Sequence, residues 1–225
     1  GDDVQRKALT LYHKGVLYKE ENQVDKALPY YLQASEEVKL TEDYRLAYLI
    51  YSHIGMIYAY RKLHEYSASY CEKANEYAIL SNDSYYIVDS YCCMARTYSA
   101  QKQYTKAIEL YNKAIEIGRV HHEKKLVYSA IQEKMGIYIR QGKYEEVQQL
   151  VKTLDIQILG ETGFLIIGHF YQRINQVDSA YYYLNKAINS DNIYTQRTAY
   201  QILCNLSKKQ KDYEKNAEYS VKLWK

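Results

Sequence analysis

The sequence predicts an all-α right-handed solenoid of about six helix pairs, and three observations predict it. First, features recur in phase. Tyr18, Tyr58, Tyr98 and Tyr138 stand 40 residues apart, as do Ala34, Ala74 and Ala114, with Leu154 continuing the series. The turn-like segments Thr41-Glu42-Asp43 and Ser81-Asn82-Asp83 keep the same spacing of 40. Self-similarity at a period of a few tens of residues marks stacked repeats. Second, the apolar residues within each repeat follow the helical period. Tyr91, Met94, Ala95 and Tyr98 fall on one helix face, and Tyr104, Ala107, Tyr111 and Ala114 on another. Third, the 225 residues include one proline, Pro29, and nine glycines, too few turn formers for a sandwich or barrel.

Each repeat reads as helix, short turn, helix. In the third, the polar stretch Gln101-Lys102-Gln103 separates the two apolar runs. Three residues before each phased tyrosine stand Gly15, Gly55, Ala95 and Met135. The small ones let the first helix approach its partner closely. Ala27 and Ala107, then Ala34, Ala74 and Ala114, let the second helix pack in return. The repeats are expected at 8–41, 48–81, 88–121, 128–160, 161–194 and 197–225, forming a single solenoid over 1–225. The spacing falls to 33 between Met135 and Gly168 and is 36 between Gly168 and Cys204. Asp155 to Gly163 holds two glycines and an irregular pattern, so a change of curvature is expected there. The chain stops at Trp224-Lys225, inside the expected second helix of the last repeat. A solenoid needs a polar terminal cap, so the natural protein is expected to continue beyond Lys225.

The pattern Tyr91-x-x-Met94-Ala95-x-x-Tyr98, then Tyr104-x-x-Ala107, Tyr111 and Ala114, resembles the tetratricopeptide repeat. The first repeat carries it through Leu11, Gly15, Tyr18, Ala27, Tyr31 and Ala34. The second carries it through Tyr51, Gly55, Tyr58, Cys71 and Ala74, with Ser67 where alanine is usual. The fourth is weaker, the fifth good through Ile167, Gly168, Tyr171, Ala180, Leu184 and Ala187, and the sixth degenerate. Long tyrosine-rich repeat proteins of Bacteroidetes are similar. The usual repeat has 34 residues. The six extra residues here predict long helices, ~17–19 residues each, with no proline stop.

Composition excludes several functions. Hydrophobic residues at 47% and charged residues at 25% exclude wholesale disorder. A net charge of +3 gives no electrostatic case for nucleic acid or an anionic membrane. Lys208, Lys209 and Lys211 form a small basic cluster that reads as a solvated turn. No run of 18 apolar residues is present, so membrane insertion is not expected. Compartment stays open between cell envelope and cytoplasm. No nucleophile elbow, phosphate loop or zinc motif occurs, so the chain is expected not to be an enzyme and to need no cofactor or metal. Among Cys71, Cys92, Cys93 and Cys204, the adjacent Cys92-Cys93 is the pair weighed for redox chemistry, and packing is the expected role. His121-His122 falls at a turn and reads as solvated.

Binding of a protein or peptide is what the resemblance implies. In that family the first helices line a concave groove. Counted from the small residue, the groove positions are Leu9, Tyr12, His13, Val16, Lys19 and Glu20 in the first repeat and Leu49, Ser52, His53, Met56, Ala59 and Tyr60 in the second. The third contributes Asp89, Cys92, Cys93, Arg96, Ser99 and Ala100, the fourth Ser129, Gln132, Glu133, Gly136, Ile139 and Arg140, and the fifth Thr162, Leu165, Ile166, His169, Gln172 and Arg173. Tyr12, Met56 and Tyr60 offer anchors of the kind enriched at hot spots. Arg96, Arg140 and Arg173 offer planar donors for carboxylates. The Lys and Asn of the family's carboxylate clamp are replaced by Tyr12 and Val16, so binding to chaperone C-termini is not expected. A homodimer built on exposed repeat faces is the alternative.

Overall fold

The computed structural model describes residues 2–155 and 158–223. Gly1, the Trp224-Lys225 end and part of the segment expected to change curvature lie outside them. Among the described residues there are twelve helices: α1 (Asp2–Glu20), α2 (Val24–Val38), α3 (Tyr44–Tyr60), α4 (His64–Ser81), α5 (Ser84–Ala100), α6 (Tyr104–Val120), α7 (Lys124–Gln141), α8 (Tyr144–Lys152), α9 (Gly160–Arg173), α10 (Val177–Ala187), α11 (Ile193–Lys209) and α12 (Tyr213–Leu223). The all-α expectation holds. The chain forms two compact units, Gly1–Ala130 and Ile131–Lys225.

In the N-terminal unit, α1 packs on α2, α3 on α4 and α5 on α6. Successive pairs adjoin through α2–α3 and α4–α5, and α3 also touches α5, so first helices stand side by side. The small residues explain the closeness. A Cβ on Gly15 would lie 2.7 Å from the Tyr31 ring, and one on Gly55 2.8 Å from Cys71 Sγ. Ala27, Ala34, Ala74, Ala107 and Ala114 are all fully buried.

The turns obey one rule. Each helix pair closes through a residue in the left-handed region: Asn22, Lys62, Lys102, Gly142, Asn175 and Lys211. The following N–H returns to the last turn of the first helix. Gln23, Leu63, Gln103 and Lys143 bond to the carbonyls of Tyr18, Tyr58, Tyr98 and Tyr138 at 2.8–2.9 Å. This is the Schellman closure, which satisfies otherwise orphaned carbonyls. The 40-residue tyrosine series therefore marks one fixed place in each turn. Its rings lie against second-helix aromatics, as Tyr18 on Tyr30 and Tyr58 on Tyr70, both 5.4 Å between centroids.

Between repeats, Thr41 and Ser81 donate to Val38 O and Ala78 O, and Asp43 and Asp83 cap the next helix through Leu46 N and Tyr85 N. Such a cap contributes about 1 kcal/mol. Successive repeats are tied at this level by Gln5 to Asp43, Arg45 to Asp83 and Ser84 to Glu123. His121 and His122 lie exposed in a turn, as expected.

In the C-terminal unit, α9 packs on α10 and α11 on α12, with α10–α11 and α9–α11 contacts between the pairs. The core is Ala180, Leu184, Ala187, Ala199, Tyr200, Leu203, Cys204, Leu206 and Tyr219. Here the length expectation fails. Helices α1 to α7 span 15–19 residues, but α8 has 9, α9 14 and α10 11. The shortening follows the loss of the 40-residue period after Met135. Fewer residues between phase markers leave fewer turns, and α8 and α10 give up most of them.

Candidate functional site

The second and third repeats enclose a cleft of about 470 Å³. Its walls are α3, with Leu49, Ser52, His53, Met56, Ala59 and Tyr60, and α5, with Tyr85, Tyr86, Asp89, Cys93, Arg96 and Ala100. Its floor is made of small residues, Gly55, Ser67, Cys71 and Thr97. The reason lies in the repeat. Tyr31 and Tyr111 occupy the position equivalent to Cys71, one period either side, and both rings are fully buried. Cysteine at that position leaves the ring's volume empty.

The cleft has an apolar rim and a charged wall. Met56 is 49% exposed and Tyr60 80%. Tyr48 donates a hydrogen bond to Asp89 Oδ2, and Arg96 lies 4.0 Å from Asp89 Oδ1. Burial and the neighbouring carboxylate push the Tyr48 phenol well above its ordinary range, so it remains a donor. Burial works against the Arg96 charge, but Cys93 and Asp89 outweigh it and its pKa lies above the ordinary value.

At the first-repeat side, Tyr12 sits among His13, Tyr31 and His53, at centroid distances of 5.5, 5.9 and 5.6 Å. His53 is 2.8 Å from Leu49 O through Nδ1. A carbonyl only accepts, so Nδ1 carries the proton. Burial lowers the His53 pKa, the Leu49 hydrogen bond opposes that, and Lys19 adds to the lowering.

The C-terminal unit has its own cleft of about 350 Å³, lined by Gly136, Ile139 and Arg140 of α7, Leu165, Ile166 and His169 of α9, and Thr198 and Ile202 of α11. Burial and then Arg173 lower the His169 pKa.

The structure thus places His53, Met56, Tyr60 and Arg96 in one cleft, Arg140 and His169 in another, and Tyr12 and His13 in an aromatic cluster with His53. Two positions are engaged elsewhere. Arg173 donates through Nε to Tyr144 OH at 3.1 Å, and Gln132 donates to Leu159 O at 2.9 Å, tying α7 to the segment before α9. Sequence reasoning missed Tyr48, Tyr85, Tyr86 and the floor residues. The replacement of an aromatic by Cys71 in the 40-residue series was the available signal. It also weighed the wrong thiol pair. Adjacent residues on a helix diverge by about 100°, so Cys92 is buried away from Cys93, whose Sγ lies 3.2 Å from Cys71 Sγ. Among the described residues no group of three or more His, Cys, Asp or Glu could hold a metal, and no helix is long and apolar enough to cross a membrane.

Two segments match the tetratricopeptide repeat family, residues 8–36 and 88–118. No curated protein matches the sequence. Among solved structures, the fold is similar to aspartyl phosphate phosphatase F from Bacillus subtilis, with a TM-score of 0.72 at 14% identity, covering 98% of this chain and 70% of that one. PilF of Pseudomonas aeruginosa gives 0.71 at 12% identity over 98% of this chain and 92% of that one. The type IV pilus biogenesis factor PilW gives 0.72 at 15% identity over 96% and 91%. None of these points to Bacteroidetes. Residues 8–36 and 88–118 are tetratricopeptide repeats, and the chain has the all-α fold of TPR-like repeat proteins.

Proposed function

We propose that this chain is a non-catalytic protein- or peptide-binding repeat segment, the interaction or sensor part of a larger bacterial regulatory or envelope protein. Tetratricopeptide repeats are commonly protein-interaction modules. The observation that carries the reading is the cleft between α3 and α5. It combines exposed apolar side chains, Met56 and Tyr60, with an arginine that stays charged, Arg96. Such a surface suits a peptide carrying an apolar side chain next to an acidic one, because the apolar rim buries the first and the guanidinium meets the second. Arg140 and His169 in the second cleft offer a further contact area, and Tyr12, His13 and Lys19 extend the first.

The test is capture of partners by the wild-type chain, followed by affinity measurement with Tyr60→Ala and Arg96→Ala combined. A loss of at least tenfold is expected. Unchanged affinity rejects the cleft as the binding surface. The alternative reading is a self-associating scaffold, and light scattering over a range of concentrations separates the two. A concentration-independent monomer removes it.

A further inference from the structure

Two thiols from different helices meet at the floor of the N-terminal cleft. Cys71 projects from α4 and Cys93 from α5, and their sulfurs are 3.2 Å apart. A disulfide needs about 2.05 Å, so the sulfurs must close by roughly 1 Å. Gly55 makes the place for the Cys71 sulfur, since a Cβ there would lie 2.8 Å from it. Thr97 Oγ1 stands 3.6 Å from the same sulfur and 3.3 Å from Ser67 Oγ. Both cysteines line the cleft, Cys93 half-buried and Cys71 only 1% exposed at its base, so the cleft is the route by which a small oxidant would have to come.

We infer that Cys71 and Cys93 form a reversible intramolecular disulfide site that responds to peroxide. This goes beyond the binding reading and does not depend on it. The surroundings prepare the reaction. A hydrogen bond from Cys93 lowers the Cys71 thiol to about 7; burial opposes this, and the Thr97 and Ser67 hydroxyls and then Arg96 assist it. The Cys93 thiol is held well above its ordinary value, chiefly by that same hydrogen bond to Cys71. One sulfur is therefore the nucleophile and the other keeps its proton.

The chemistry balances with hydrogen peroxide as the oxidant. The Cys71 thiolate attacks one peroxide oxygen, the O–O bond breaks, and hydroxide leaves. Cys71 becomes a sulfenic acid. The Cys93 sulfur then attacks the Cys71 sulfur, its proton goes to the departing oxygen, and water leaves. Two thiols and one peroxide give one disulfide and two waters. Each sulfur is oxidised by one electron, and the peroxide is reduced by two. The new bond would fasten the second helix of one repeat to the first helix of the next.

The experiment is peptide mapping of the reduced, folded chain after treatment with hydrogen peroxide, without reductant. Trypsin cleavage after Lys73 places Cys71 in residues 63–73 and Cys92 with Cys93 in residues 74–96. The expected result is these two peptides joined in the monomer, with fragmentation locating the link at Cys93 and a dithiol releasing it. C92S retains the link, while C71S and C93S lose it. A link through Cys92 or Cys204, linkage only between chains, accumulation of sulfinic acid without a link, or unmodified thiols would each overturn the proposal. The wild-type map decides the matter even if a variant fails to fold.

Discussion

The N-terminal unit holds three helix pairs at a constant 40-residue period, whereas the C-terminal unit abandons that period and shortens α8 and α10. The consequence is visible in burial. Helix α2 buries Ala27, Leu28, Tyr31, Ala34, Ser35 and Val38, while α8 buries only Val147. In the second and third pairs both helices supply buried residues, α3 with α4 and α5 with α6. The first pair is unequal, since α1 buries only Ala8 and Gly15. A constant period therefore keeps the second helices long and well buried, without making the two partners of every pair equal.

The largest expected effects test that burial. Tyr31→Ala removes a fully buried ring and should cost about 3–5 kcal/mol. Leu184→Ala in α10 should cost about 2–5 kcal/mol, because the short helix has few other buried side chains. Urea denaturation of each variant measures both. A cost below ~1 kcal/mol for Leu184→Ala would show that α10 is dispensable to its core.

Overpacking comes next. Gly15→Leu drives a side chain into the Tyr31 ring and should cost about 1–3 kcal/mol; Gly168→Leu meets Leu184 at 2.7 Å and should cost a similar amount. Thermal melts of the pair show whether close approach matters equally in both units.

Acid should act on both clefts. His53 and His169 have folded pKa values below the ordinary 6.5, in each case chiefly through burial. The unfolded chain therefore takes up protons first as pH falls. The stability these neutral rings contribute is whole above pH 6.5 and declines as pH drops below it towards their folded values. Replacing either ring by glutamine should flatten the slope of stability against pH in that window. An unchanged slope for both variants would assign the acid sensitivity to other groups.

The smallest effects belong to the turns. Lys102 and Gly142 occupy equivalent left-handed positions at φ of 62° and 71°. Lys102→Gly should stabilise by roughly 0.5–1 kcal/mol, and Gly142→Ala should destabilise by about 1 kcal/mol. Opposite signs in chemical denaturation confirm that one turn geometry serves both units.

Much of the fold was legible because it rests on local chemistry. The tyrosine series marks the turn closure, and Gly15 and Gly55 mark close approach. Thr41-Glu42-Asp43 and Ser81-Asn82-Asp83 mark a helix stop and the next cap. The cleft was half legible. The family resemblance, counted from the small residue of each repeat, located His53, Met56, Tyr60 and Arg96 on the groove faces, but such a count assigns a residue to a face without saying what the neighbouring helix brings to meet it. Hence Tyr48, Tyr85 and Cys71 were missed, and Cys93 was grouped with its sequence neighbour instead of its neighbour in space. The shortened α8 and α10 were hidden for a similar reason: a weakened period shows that regularity is lost, not which helix gives way.

The exchange of an aromatic ring for a thiol at residue 71 has an implication for how such arrays diversify. The scaffold around that position is nearly duplicated one register earlier and one later, at Tyr31 and Tyr111. Hollowing out a chamber there requires no redesign of backbone, turn or cap, only a smaller occupant. Clefts can therefore be gained, lost or relocated along the array by single substitutions, while the architecture around them stays as it was.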